Sequence, residues 1–88
     1  MNPNAPSDAG AAIIEAVESQ LKENNPPKVR QTLDRLMGLG MPRDDAVKYI
    51  ASALSVEIFG AIRNSEAFDS QRYDGNLEKL PEQPWENS

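Results

Sequence analysis

The sequence predicts an all-α fold: a small four-helix domain packed around a long central third helix, with extended N- and C-terminal tails. Two observations carry this reading. The stretch from Pro42 to Arg63 is the longest and most apolar periodic run in the chain, and the remaining segments are short amphipathic runs separated by proline, glycine and asparagine. The length of 88 residues suits one domain, whose folding buries roughly 60 to 65% of the unfolded surface. The expected division is a mobile tail over 1–6, one helical domain over 7–80 and an extended tail over 81–88.

After the N-terminal tail with its two prolines and two asparagines, Ser7 or Asp8 is placed to cap a first helix running to about Asn24. Ile13, Ile14, Val17 and Leu21 share one of its faces. Asn25-Pro26-Pro27 breaks the chain and restarts it, with Asn25 as N-cap and Pro26 at the first helical position. The short second helix presents Val29, Leu33, Leu36 and Met37 to the core. Gly38 or Gly40 supplies the left-handed residue that ends it, and Met41-Pro42 leads straight into the third helix.

On that third helix Val47, Ile50, Ala51, Leu54, Ile58, Ala61 and Ile62 fall within one stripe at about 100° per residue. A second, weaker stripe of Tyr49, Ala53, Val56 and Gly60 lies nearly opposite, leaving a narrow polar strip through Asp45, Lys48, Ser52, Ser55 and Arg63. A helix apolar over most of its circumference is covered on more than one side. Pro42 suits its first position, and Asp44 and Asp45 place negative charge at the positive end of its macrodipole. Asp69 then reads as the N-cap of a fourth helix, with Phe68 and Tyr73 at the two positions of a hydrophobic staple. Tyr73, Leu77 and Leu80 continue one face, Pro81 ends it, and Asp74-Gly75 is its weak point because the pair also reads as a turn.

The chemistry is read largely from what the chain lacks. It has no histidine and no cysteine, which removes the usual proton-transfer group near neutral pH, the usual transition-metal ligands and any disulfide framework. No glycine-rich phosphate loop or EF-hand spacing occurs. The catalytic, cofactor and metal assignments are therefore empty. The net charge of −5 opposes a general nucleic-acid or anionic-membrane role. With no signal peptide and no long apolar span, a soluble protein of the cytoplasm is the expectation.

The charge is uneven. Lys22 to Arg35 holds four bases against Glu23 and Asp34, while Asn64 onward holds six acids against Arg72 and Lys79. Two candidate features remain. Tyr49, Ala53, Val56 and Gly60 recur at heptad-like spacing and form a candidate interaction surface, because Ala53 and Gly60 let another helix approach closely. Covering by the fourth helix and the Trp85 tail, which is expected to fold back onto apolar surface, is the competing reading. Glu57, at the edge of the apolar face, is a candidate partly buried charge with Arg72, Arg30 or the Tyr73 hydroxyl as partner.

From Gly38 onward, Leu39-Gly40-Met41-Pro42, Asp45-Ala46-Val47, Ile50-Ala51, Glu57-Ile58-Phe59, Phe68-Asp69, Tyr73, Leu77-Glu78-Lys79-Leu80-Pro81 and Trp85 form a pattern. It resembles an uncharacterised family of small helical bacterial proteins, a domain of unknown function. The resemblance implies a helical fold in a bacterial cytoplasm and supplies no function. The functional expectation is a small helical interaction or accessory module without catalysis of its own, with a protein partner or self-association. The alternatives are a nucleic-acid-associated regulator using the corner between the second and third helices, and an enzyme or ligand-binding protein built on carboxylates.

Overall fold

The computed structural model describes residues 5–87, with side chains from Gly10 to Trp85. It contains four α-helices, α1 (Ala5–Glu23), α2 (Pro27–Gly38), α3 (Arg43–Asn64) and α4 (Ser70–Lys79), followed by a 3₁₀ turn over Pro84–Asn87. No strand occurs among the described residues. At 1.5 Å per residue the 22 residues of α3 extend about 33 Å, most of the 39 Å long axis of the molecule. The other three helices pack against α3. Helix α1 runs antiparallel to it, since Glu18 meets Arg43 at one end while Gly10 and Ser55 line the same shallow groove at the other.

The buried core takes Val17 and Leu21 from α1, Val29, Leu33 and Leu36 from α2, Ala46, Val47, Ile50, Ala51, Ala53 and Leu54 from α3, and Tyr73, Leu77 and Leu80 from the α4 region. The predicted main stripe of α3 is thus correct as far as Leu54. Beyond it Ile58 and Ala61 are half-buried and Ile62 is 70% exposed, against the expectation. The physical reason is length: α2 and α4, with 12 and 10 residues, are too short to cover the last turns of α3. Met37 is also exposed, because it lies in the last turn of α2 as the chain leaves the core for the corner. On the opposite edge of the same face Thr32 is buried, and its hydroxyl donates to the Lys28 carbonyl at 2.7 Å and so enters the core satisfied.

The helix ends explain the boundaries. Pro26, rather than Asn25, is the N-cap of α2, and Pro27 takes the first helical position. A residue before proline is held out of the α region, so Pro26 stays extended (φ −76°, ψ 150°). Pro42 is likewise extended and α3 begins at Arg43, one residue later than expected. Helix α1 begins at Ala5, ahead of the predicted cap at Ser7 or Asp8, so the tail expected over 1–6 ends sooner; residues 1–4 lie outside the described residues. Gly40, at φ 98°, is the left-handed residue after α2, and the amides of Gly40 and Met41 return to the carbonyls of Met37 and Leu36. Asn24 and Ser65 close α1 and α3 in the same way at φ 53° without the freedom of glycine.

Helix α4 is capped as predicted: the Asp69 carboxylate accepts from the Arg72 amide at 3.0 Å. The Phe68 and Tyr73 rings meet edge to face at 5.7 Å, completing the staple. Asp74 and Gly75 continue the helix without a turn. The segment after Pro81 corrects the extended-tail expectation, since it folds into the 3₁₀ turn and brings Trp85 half-buried against the core.

Candidate functional site

The four residues of the predicted seam have different fates. Ala53 is completely buried in the core and cannot meet a partner, and Tyr49 packs half-buried against the same core. Val56 and Gly60 are half-buried and line, with Ser55, Phe59, Arg63 and Trp85, an open groove of about 370 Å³. Phe59 is 48% exposed. With Ile62 it places two large apolar side chains at the surface one turn apart. The surface available to a partner is therefore displaced towards the C-terminal end of α3 relative to the predicted seam. Phe59 was missed in the sequence because it falls between the two apolar stripes, on the polar strip with Lys48 and Ser52, and its exposure follows from that face being turned away from the core.

Trp85 covers the upper part of this face. Its indole N–H donates to the Ser52 hydroxyl at 2.9 Å, so Ser52, expected on the solvent strip, is half-buried beneath the tail. The Ser55 hydroxyl donates instead to the Ser52 carbonyl at 2.8 Å, which leaves the Ser52 oxygen open to the indole. An indole suits such a position, apolar on its faces and polar at one edge.

Glu57 is fully buried rather than partly so. Arg72 reaches over it from α4, with Nε 2.9 Å from Oε2 and Nη2 2.8 Å from Oε1. The Asp69 amide adds a third direction at 3.3 Å. The Glu57 carboxylate beside it pushes Arg72 above the usual guanidinium range, by hydrogen bonding first and by charge second. Of the three predicted partners only Arg72 is used. Arg30 donates weakly to the Leu21 carbonyl at 3.4 Å, and the Tyr73 hydroxyl donates to Gln20 Oε1 at 2.8 Å. Burial raises Tyr73 well above the ordinary phenol, Asp74 adds to the rise, and the Gln20 bond opposes it. One oxygen of Asp74 is buried without a hydrogen-bond partner among the described residues.

Part of the uneven charge of the sequence is used within the molecule. Lys28 pairs with Glu78 at 2.7 Å, and Arg35 bonds the carbonyls at the C-terminal end of α4, so the basic segment lies against the acidic one. Hydrogen bonding to Lys28 lowers Glu78, and hydrogen bonding to Arg43 lowers Glu18, from the ordinary carboxylate range. At the corner between α2 and α3, Arg43 forms a two-pronged pair with Glu18 at 2.9 Å, while Asp44 and Asp45 are exposed beside it. That surface repels phosphate at the position where a groove-reading helix would need cations. No group of three or more His, Cys, Asp or Glu among the described residues is placed to hold a metal ion, and no helix among them is long and apolar enough to cross a membrane. No family model, curated protein or solved structure matches the chain.

Proposed function

We propose that this chain is a small helical interaction or accessory module, without catalysis of its own, that acts in a bacterial cytoplasm by holding a protein partner on α3. The observation that carries the reading is the exposed pair Phe59 and Ile62 beside the half-buried Val56 and Gly60; Met37, Leu39 and Phe68, the other exposed large apolar side chains among the described residues, lie away from the last turns of α3 in sequence and do not line this groove. A contiguous exposed apolar patch rimmed by polar residues is the kind of surface that marks an interaction site. Arg63 and Glu66 supply that rim at the helix end.

The test compares the wild-type chain with Phe59→Asp as bait in an extract of the native cell, together with the mass of each in solution. Phe59 is half exposed, so Phe59→Asp should melt within a few degrees of the wild type while releasing the partner or dissociating a self-associated form. The same captured set and the same mass for both proteins would end the reading. Salt-sensitive binding to DNA by a folded Phe59→Asp chain would replace it with the nucleic-acid alternative.

A further inference from the structure

The segment after α4 is held differently from the rest of the domain. Pro81 stops the helix, Glu82 closes one turn through its amide to the Lys79 carbonyl at 2.9 Å, and the chain then enters the 3₁₀ turn of Pro84–Asn87. Its largest anchor is Trp85, half-buried against the core with its indole N–H on Ser52. A short segment at the end of the chain, with Pro81, Glu82 and Pro84 exposed, belongs to the parts of a protein that open locally, far below the free energy of global unfolding. The groove it enters does not end at the indole. It continues along Val56, Phe59 and Gly60 to Arg63, and nothing stands within 4 Å of where a side chain at Gly60 would begin.

We propose that residues 81–87 form a detachable strap, and that the face of α3 beneath it is a site for a short peptide segment carrying a tryptophan, of which the chain's own tail is the resident copy. The proposal rests on the interaction-surface reading above and deepens it by naming the chemistry of the ligand. Three features of the site match such a segment. The Ser52 oxygen accepts the indole N–H, the apolar wall of Val56 and Phe59 continues beside the ring, and Arg63 at the far end suits the acidic residues that accompany the tryptophan in this tail. A tethered ligand competes at an effective concentration on the order of millimolar, so the strap keeps the site closed to weak ligands and yields to strong ones.

Trp85 is the only tryptophan, which makes the exchange directly visible. A synthetic peptide of residues 80–88 is titrated into the full chain carrying Trp85→Ala, whose only indole is then that of the peptide. Saturable binding with a blue-shifted emission is expected, weakened several-fold by adding Ser52→Ala. The same peptide with a terminal dye, followed by anisotropy, should bind the wild-type chain at least tenfold more weakly because the strap fills the site. Absence of binding to a folded Trp85→Ala chain, or equal binding to both chains, overturns the proposal, as does a Trp85→Ala chain that no longer folds. In wild-type protein, the Trp85 emission should shift to that of a hydrated indole at lower urea than the loss of helical ellipticity. Coincident transitions would make the tail part of the core and also overturn it. Neither measurement uses a cellular partner, so the strap can fail while the module reading stands, and the reverse.

Discussion

Arg35 on α2 reaches the C-terminal end of α4, where its Nη1 donates to the Leu80 carbonyl at 2.7 Å; its Nη2 donates to the Leu77 carbonyl at 2.9 Å. The last carbonyls of a helix lack the amides one turn on and carry the negative end of its dipole; the Leu80 amide reaches the Leu77 carbonyl at 3.2 Å, and the guanidinium fork adds charged donors to both carbonyls. Arg35→Ala should therefore lower stability by about 1.5 to 3 kcal/mol, the usual range for hydrogen bonds to a charged group. Arg35→Lys restores charge without the fork and should recover only part. Amide exchange distinguishes this from general destabilisation, because the α4 amides should lose protection before those of α1. Equal melting of Arg35→Ala and wild type would show the fork to be idle.

The pair of Glu57 and Arg72 ties the start of α4 to the middle of α3. A buried carboxylate left without its partner costs about 3 to 5 kcal/mol, whereas replacing both members with apolar residues of similar size is often neutral or better. Arg72→Met should accordingly melt far below the wild type. Glu57→Leu combined with Arg72→Met should regain most or all of the loss, with a coupling of opposite sign to the single effects. Additive melting shifts in urea denaturation would show that the two side chains act separately.

Tyr73 sets an alkaline limit. Its phenol is raised in the folded chain, so the stability it contributes is fully present below the unfolded value near pH 10 and is lost as the pH climbs towards the higher folded value. Each pH unit above about 10 should remove up to about 1.4 kcal/mol. Tyr73→Phe loses the bond to Gln20 and is less stable at pH 7, yet its stability should fall less steeply above pH 10. Parallel curves for the two proteins would sink the assignment. On the acid side the sign is opposite: Glu18 is lowered by Arg43, so its contribution is present above the unfolded value and is lost as pH falls below about 4. Both side chains are 44% exposed, so this pair is worth about 1 kcal/mol at most and less at high salt.

What was legible in the sequence was local. The Asp69 cap, the Phe68 and Tyr73 staple and the core stripe up to Leu54 depend on neighbours within a few residues, and each stands where spacing placed it. The choice of Arg72 for Glu57 was open among three candidates, since α4 had first to be docked before its residues could be ranked. Ile62 was misjudged for the same kind of reason: periodicity tells which residues share a face, and only the length of the covering helices tells where the cover stops, whereas Phe59 was missed because it falls on the polar strip between the stripes. The turn at Pro84–Asn87 escaped notice because no repeating pattern marks it, while the bond from Trp85 to Ser52 is a tertiary contact.

Ser65 ends α3 with φ 53° and ψ 39°, its amide bonded to the Ile62 carbonyl at 3.3 Å and the following Glu66 amide to Ala61 at 2.9 Å. The end of α2 uses the same hydrogen-bond pattern with Gly40 in the left-handed position, where a side chain meets no penalty because there is none. At Ser65 the Cβ crowds the backbone, a cost of about 1 to 2 kcal/mol that glycine avoids. Glycine also frees the unfolded chain, which offsets about 0.4 to 1 kcal/mol of that gain. Ser65→Gly should therefore stabilise the protein by roughly 0.5 to 1 kcal/mol and raise its melting temperature by a few degrees. Ser65→Val should lower it, because a β-branched side chain tolerates the left-handed region worst. If glycine and valine shift the melt in the same direction, the end of α3 does not hold its left-handed turn in solution.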